Sequence, residues 1–351
     1  MCICGSVGKL LLTMNGEEGK TLELGITTFA ETTPDLKTGK IKSHAERIRE
    51  IVEEIILADE VGLDVFGVGE HHRNDYAASS PQIILAAAAS RTKRIRLTSA
   101  VTVLSSDDPV RVFQDFSTLD AISGGRAEIM VGRGSFIESF PLFGYDLKDY
   151  NELFEEKLDL LLKIRESEVI TWKGKFRASI ENRGVYPRPV QNPLPVWIGS
   201  GGTPESVIRA GRLGLPLVLA IIGGSPLHFA PLVKLYKRTL KQHGHNPDEF
   251  IVASHSHGFV AESDEIAAEK FFPPTQYAMN VLGRERGWPP YTKDTFDAAR
   301  SLEGALYCGS PETVARKIIY LNKKVGIDRF MLHVPVNTDR KSTRLNSSHT
   351  S

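Results

Sequence analysis

The chain has 351 residues, of which 41% are hydrophobic and 25% charged, and 43 basic residues balance 43 acidic ones. Such a composition is typical of a globular protein with a large core, and the balanced charge draws the chain neither to nucleic acid nor to an anionic membrane. No apolar run reaches the length of a membrane span, and three cysteines are too few for a disulfide framework. We therefore expect a cytoplasmic protein that acts on a small, neutral molecule.

Apolar runs alternate with segments of helical periodicity along most of the chain. The first run, 22–28, is followed by a predicted helix that begins with the capping-box pair Ser43 and Glu46, and then by the run 65–68. Further strands are predicted at 95–104, 126–134, 195–202, 215–221, 250–261 and 327–336. Eight strands with intervening helices favour a (β/α)8 barrel, because parallel strands need crossovers that pack on the outside. A doubly wound sheet is the alternative.

Two longer segments interrupt this alternation. Residues 172–193 contain Trp172 and several prolines, and we interpret them as an insertion that covers the barrel mouth. Residues 271–307 are aromatic-rich and are expected to be a loose stretch. Together the two segments would frame a substrate pocket, since loops at the mouth of a barrel usually set specificity.

The two ends of the chain differ from the part between them. Residues 1–20 show no periodicity and contain an internal Met14, so we interpret them as a leader or an upstream start. A single barrel domain is expected over residues 21–336. Residues 337–351 have no apolar stripe, and we expect them to be a non-native tail that replaces the last barrel helix.

The stretch VFGVGEHH, residues 65–72, is the first candidate site. Its apolar half suits a buried parallel strand, and Glu70, His71 and His72 follow at the carboxyl end, where barrels carry their chemistry. Neighbouring side chains of an extended chain point to opposite faces, so the two imidazoles do not readily bind one metal. We predict that one imidazole acts as an acid, a base or a hydrogen-bond donor. Solvated histidines at a strand end are the alternative.

Two further motifs indicate an anion site. Residues 199–206, GSGGTPES, form a glycine-rich turn between a strand and a helix, whose free N–H groups and helix dipole suit a phosphate monoester. Arg133 lies between two glycines just after the fourth predicted strand and could pair with that phosphate. A capped turn and a surface salt bridge are the alternative interpretations.

His255 and His257 are two residues apart on a predicted strand and therefore face the same way. Such a pair could bind a metal ion. Metal-dependent barrel hydrolases usually carry a pair of this kind on the first strand, which here ends in Thr27, Thr28 and Phe29. We therefore predict no metal, and expect one of the two histidines to line a substrate pocket.

Taken together, these motifs resemble the bacterial luciferase-like family of flavin-dependent monooxygenases over residues 22–336. The resemblance is carried by the order and spacing of four segments, 62–72, 95–135, 195–216 and 309–318. It implies a barrel with insertions, usually dimeric, that binds reduced FMN supplied by a separate NAD(P)H-dependent flavin reductase. Dioxygen then adds to the flavin, giving a C4a-peroxyflavin that oxidises a small organic substrate.

The resemblance also assigns roles to residues of this chain. Glu70 and His71 would lie near the isoalloxazine, with His71 steering proton transfer, and Ala100 and Val101 match a site where a non-proline cis peptide can lie against the flavin. Arg133 matches an arginine that contacts the phosphate. The matching phosphate turn comprises Ser200, Gly201, Gly202 and Thr203.

Three other functions stay open at this stage. One is an F420-dependent dehydrogenase of the same superfamily, which does not activate oxygen, and the second is a flavin-binding protein without catalysis. The third is a metal-dependent hydrolase. Light emission is not expected, because few members of the family emit light.

Overall fold

The computed structural model of the protein describes residues 22–134 and 136–334. Eight parallel strands close into a barrel: β1 (Glu23–Thr28), β2 (Val65–Val68), β3 (Arg96–Ser99), β5 (Ala127–Gly132), β8 (Val196–Ser200), β9 (Leu217–Ala220), β10 (Val252–Val260) and β12 (Arg329–His333). Each strand pairs with the next in this order, and β12 pairs with β1, so that Thr27 lies opposite His333. Closure confirms the predicted (β/α)8 barrel and excludes the doubly wound sheet.

Four short strands accompany the eight strands of the barrel, and two of them join its sheet. β4 (Thr102–Val103) continues β3 and pairs with β5, while β11 (Tyr307–Gly309) pairs with the far end of β10. β6 (Val169–Trp172) and β7 (Ile180–Gly184) form a separate antiparallel hairpin.

Helices surround the barrel on the outside. They are α1 (His44–Glu60), α2 (Pro81–Ala89), α3 (Pro109–Ser123), α4 (Ser139–Leu142), α5 (Tyr150–Glu166), α6 (Pro204–Arg212), α7 (Ala230–Gln242), α8 (Asp264–Arg286), α9 (Lys293–Arg300) and α10 (Pro311–Val325). The predicted capping box is confirmed, since Ser43 and Glu46 exchange hydrogen bonds at the start of α1. Within the described ranges, no helix combines the length and apolar character that crossing a membrane requires.

Apolar side chains fill both the space under the helices and the barrel interior. The inner cluster includes Met130, Trp197 and Met331. Arg329 donates two hydrogen bonds to Glu128 within the barrel, the shorter being 2.6 Å, and both residues are buried. In a buried pair with this bidentate geometry each charge is compensated by the other. The pair fills the barrel at the amino ends of the strands, so a functional site is expected at the opposite end.

The interpretation of residues 172–193 as a cover over the barrel mouth is wrong. The β6–β7 hairpin packs outside α5, with Ile170 and Trp172 buried and the Trp172 indole donating to Asp159 at 2.8 Å. Only the tip of the hairpin reaches the rim, where Arg177 pairs with Asp108 at 2.7 Å. The alternation of exposed and buried residues in Val169–Trp172 is the signal of a half-buried strand.

The second long segment is not loose either, because α8 and α9 occupy most of residues 271–307. α8 continues through Pro273 and Pro274, which interrupt the helical pattern in the sequence. The expectations for residues 1–20 and 337–351, including the missing last helix, lie outside the described residues.

Candidate active site

Glu70 lies at the carboxyl end of β2 and is buried, with both carboxylate oxygens bonded to protein groups. One oxygen accepts from the Val103 N–H at 2.8 Å, and the other lies 2.8 Å from Nε2 of His72. These contacts join the end of β2 to β4, immediately after Ala100 and Val101. The contacts of Glu70 hold this segment in place, and its predicted catalytic role stays a prediction.

His71 lies at the barrel mouth among three aromatic side chains, which we call the aromatic ring cluster. Its imidazole packs 4.8 Å from Phe29, 4.4 Å from Tyr76 and 5.0 Å from Phe136, measured between ring centroids. The main-chain N–H of His71 donates to Ala78 O at 2.9 Å and fixes the backbone. Burial lowers the pKa of His71 to about 4, more than the charge of Glu31 raises it. The imidazole is therefore neutral at pH 7 and can give or accept a proton.

The peptide bond between Ala100 and Val101 is cis, as the family resemblance led us to expect. Glycines from neighbouring strands make room for it. A Cβ at Gly67 would lie 2.9 Å from the Ala100 Cβ, and Cβ atoms at Gly132 and Gly199 would lie 2.7 and 2.9 Å from methyl groups of Val101. Larger residues at these three positions would displace the segment.

The structure brings Arg133 and the glycine-rich turn together, although Gly199, the first residue of the turn, follows Arg133 by 66 positions in the chain. Arg133 donates to Asn151 at 2.7 Å and to the Ser206 hydroxyl at 3.4 Å, and Thr203 donates to Ser206 at 2.9 Å. α6 begins directly after Thr203, so its first N–H groups and its dipole face the same place.

The turn itself is open toward a ligand. The Gly202 N–H donates to the Ser200 hydroxyl at 3.2 Å, whereas a Cβ at Gly201 would meet nothing within 4 Å. A cation, hydroxyl groups and accessible backbone form the donor set that a phosphate monoester requires. That these residues bind the phosphate of FMN stays a prediction.

Several residues that the sequence did not single out complete the mouth. Nε2 of His333 lies 2.7 Å from Glu31, and the other ring nitrogen lies 3.3 Å from the Thr27 hydroxyl. The Phe29 ring packs 4.2 Å from that of His333. Their positions at the carboxyl ends of β1 and β12, or just beyond them, were the available signal, but no motif marks them.

His255 and His257 both face the barrel axis beside His333, at centroid distances of 5.2 and 4.9 Å. Burial lowers the pKa of His257 to about 3 and that of His255 well below its usual value. Among the residues that the structure describes, no group of three His, Cys, Asp or Glu side chains is arranged to hold a metal ion.

The end of α8 lies over the aromatic ring cluster. Arg73 pairs with Asp75 at 2.9 Å and, across the mouth, with Glu138 and Glu285 at 3.1 Å each. The Arg286 guanidinium lies 5.6 Å from the centroid of Phe136. Ion pairs and a cation–π contact thus hold α8 against the site.

A model of the family described as luciferase-like monooxygenase matches residues 22–329. The chain belongs to this family. The match runs from the start of β1 to the first residue of β12, and it includes the four segments that carried the resemblance.

Two curated relatives show the range of this luciferase-like family. An F420-dependent glucose-6-phosphate dehydrogenase of Amycolatopsis mediterranei is 32% identical over 192 residues, covering 51% of this chain and 56% of the relative. An N-acetyl-S-alkylcysteine monooxygenase of Bacillus subtilis is 30% identical over 185 residues, covering 52% and 53%. The chain thus spans about half the length of the curated relatives it matches.

One solved structure of a monooxygenase aligns with this chain over almost its whole length. The oxygenating constituent of 3,6-diketocamphane monooxygenase of Pseudomonas putida, in complex with FMN, aligns with a TM-score of 0.74 at 20% identity, covering 93% of this chain and 96% of that one. At this identity the similarity shows the barrel fold.

Proposed function

We propose that this luciferase-like protein is a monooxygenase that uses reduced FMN and dioxygen to oxidise a small organic substrate. The observation that carries the proposal is the convergence of an anion-binding turn and a buried, neutral imidazole at one end of the barrel. Arg133 donates to the Ser206 hydroxyl at the turn, and His71 packs against the rings of Tyr76 and Phe136. The support from relatives is that they include monooxygenases and a structure in complex with FMN.

The residues present fit a flavin mononucleotide. Arg133, the Ser206 hydroxyl and the turn from Ser200 to Thr203 would hold its phosphate, with the α6 dipole favouring the negative charge. Ala100 and Val101 would lie against the ring system. Reduced FMN, when bound, would supply the electrons that activate dioxygen.

The protein's own side chains would then have two tasks. Glu70, bonded to the Val103 N–H, would keep the segment of Ala100 and Val101 in place. His71, kept neutral by its aromatic neighbours, would move a proton at one ring nitrogen during oxygen activation. The surrounding rings and α8 would exclude bulk water, which strengthens electrostatic interactions at the site.

A second candidate is an F420-dependent dehydrogenase, because one relative with 32% identity has that activity. F420 also carries a phosphate, so the anion site alone does not distinguish the two cofactors. The discriminating property is the reaction with oxygen, which the dehydrogenase would lack.

We also propose the partners that this function requires. A separate NAD(P)H-dependent reductase would supply reduced FMN, and the chain would act as a homodimer. Both proposals rest on membership of the family. Sedimentation equilibrium tests the second, with a mass near twice 38.8 kDa as the expected result and the mass of one chain as the contrary one.

An anaerobic titration tests the choice of cofactor. Reduced FMN and reduced F420 are added separately to the full chain, and binding is followed by fluorescence. We expect saturable binding of reduced FMN and weaker binding of F420. Tighter binding of F420 would favour the dehydrogenase, and binding of neither would exclude both cofactors.

A further inference from the structure

Glu31 presents a carboxylate oxygen with no protein partner inside the barrel mouth. The residue is 8% exposed, and one of its oxygens is 2.7 Å from Nε2 of His333. Its second oxygen, Oε2, is shielded from solvent and has no hydrogen-bond partner among the described residues. Burial opposes ionisation, but the charge of His333 and its hydrogen bond prevail and lower the pKa of Glu31 to about 2. Glu31 is thus a fixed acceptor.

A second polar atom without a partner belongs to another side chain that packs against His333. His255 is also 8% exposed, and its Nε2 is buried with no hydrogen-bond partner in the described part of the chain. Its ring centroid lies 5.2 Å from that of His333 and 5.5 Å from that of Phe29. Glu31 Oε2 and His255 Nε2, the two atoms without partners, therefore belong to side chains that both contact the imidazole of His333.

Two buried polar atoms without partners, on side chains that contact the same imidazole, are unusual in a folded protein. Buried polar groups are almost always hydrogen-bonded, and leaving one without a partner costs about 1–3 kcal/mol. The neighbouring rings of Phe29 and His71 offer no acceptor or donor to Glu31 Oε2 in this structure. A ligand that brings its own polar group would remove this cost.

We propose that Glu31 and His255 recognise a hydroxyl group on an otherwise apolar, aromatic-sized substrate. This inference rests on the proposed function, since it names the substrate class of the same site. The hydroxyl would donate to Glu31 Oε2 and exchange a hydrogen bond with His255 Nε2, while the rest of the substrate packs against the Phe29, Phe136 and Tyr76 rings.

A hydroxyl fits better than the other groups that could reach this place. It both donates and accepts, so it satisfies a carboxylate oxygen together with an imidazole nitrogen of either tautomer. An ammonium group only donates, so it does not satisfy an imidazole nitrogen that carries the proton. A methyl group would leave both protein atoms without partners.

Access to the two atoms requires movement of the side chains that cover them, because neither atom is reached by solvent in this structure. The ring of Phe136 packs edge-on against His71 at 5.0 Å and under Arg286 of α8. A substrate that enters past Phe136 would be enclosed by α8, as the chemistry of an oxygen-activating site requires.

Three probes of equal shape test the proposal. Benzyl alcohol, benzylamine and ethylbenzene differ only in the terminal hydroxyl, ammonium or methyl group. Their affinities for the full chain without flavin are measured by ligand-observed NMR, so that failure of FMN binding does not affect the result. We expect benzyl alcohol to bind at least about tenfold more tightly than either of the other two.

Two variants assign this preference to the named residues. In Glu31→Leu and in His255→Phe, the ratio of benzyl alcohol to ethylbenzene affinity should fall to within about threefold. His255→Phe keeps a ring of similar size, so it remains informative if Glu31→Leu does not fold. Glu152→Gln, which changes an exposed carboxylate paired with Lys175 on the outside of the barrel, should keep the full ratio.

Several outcomes would overturn the proposal. These are equal affinity for the alcohol and ethylbenzene, tighter binding of benzylamine, an unchanged ratio in both variants, or no binding of any probe. Equal affinity would indicate that a water molecule satisfies Glu31 and His255. The separate titration with reduced FMN decides the proposed function, so the two failures are distinguishable.

Discussion

Burial keeps three imidazoles at the barrel mouth neutral. It lowers the pKa of His71 to about 4 and that of His257 to about 3, and it lowers that of His255 as well. Their ordinary pKa is 6.5, so below that pH the unfolded chain binds protons that the folded protein does not. The stability associated with these groups is therefore complete above about pH 6.5 and is lost as the pH falls.

We predict that the free energy of unfolding falls between pH 6.5 and pH 4, with His71 alone contributing on the order of 3 kcal/mol. Urea unfolding at several pH values measures this slope. His257→Phe keeps a ring but removes one titrating group, so its slope should be shallower. Glu31 adds to the fall only near the lower end of this window and below it, because under its ordinary pKa of 4.5 the unfolded chain binds a proton that the folded protein, with a Glu31 pKa of about 2, does not. An identical slope in His257→Phe would contradict the prediction.

His71→Ala should separate catalysis from binding. Because the imidazole is placed to move a proton and not to hold the phosphate, reduced FMN should bind with unchanged affinity while substrate oxygenation falls 10²- to 10⁴-fold, the range typical of acid–base residues. The matched control is His245→Ala, in a loop before β10 and away from the mouth. A loss confined to FMN binding would refute this role.

Sequence patterns predict the residues at this scale only where a motif marks them. The stretch 65–72 identified His71 because three polar residues follow a buried strand. Glu31 and His333 are 302 residues apart and meet only when β1 pairs with β12. Their pairing depends on barrel closure, which no local pattern encodes.

At the scale of elements, the turn before α6 provides the anion site only together with Arg133 from the end of β5. Arg133→Ala should weaken FMN binding by about 1.5–3 kcal/mol, since a charged hydrogen bond to the phosphate is lost. Arg209→Ala is the control, because that arginine lies on α6 but pairs with Glu155. Equilibrium titration measures both, and equal effects would show that the phosphate binds elsewhere.

The open backbone at Gly201 allows a second test of the same turn. A Cβ there meets no atom within 4 Å, so Gly201→Ala should leave the melting temperature nearly unchanged. If the phosphate lies against this backbone, FMN affinity should nevertheless fall about tenfold or more through steric contact. Gly223→Ala, where a Cβ also meets nothing, should change neither quantity. Unchanged affinity in Gly201→Ala would place the phosphate away from this turn.

The elements differ in how well the sequence predicts them. The starts of several helices were predicted well, because local residues mark them. Ser43 and Asp108 form side-chain caps, and Pro204 and Pro311 occupy first helical positions. The hairpin was missed, since Val169–Trp172 offers only four residues of alternation. The sequence predicts the start of α8 near Asp264, but its continuation beyond Phe271 was missed because Pro273 and Pro274 contradict a helix in isolation. Tertiary contacts such as that of Glu285 with Arg73 override them.

At the scale of the whole molecule, the barrel divides stability from function. The ion pairs of Arg329 with Glu128 and Glu23 close the amino ends of the strands, while His71, Arg133 and Glu31 lie at the opposite ends. The end of α8 lies at the carboxyl ends of the strands, where Glu285 pairs with Arg73. This arrangement keeps the candidate site apart from the buried ion pairs that stabilise the core.

The most direct test of the proposed function is to mix the anaerobic complex of the protein and reduced FMN with oxygen while recording absorbance between 350 and 500 nm. We predict a long-lived absorbance band near the blue end of this range that differs from the spectrum of oxidised FMN and persists longer in the native protein than in His71→Ala. Immediate return to oxidised FMN, at the rate of free reduced flavin, would contradict oxygen activation at this site.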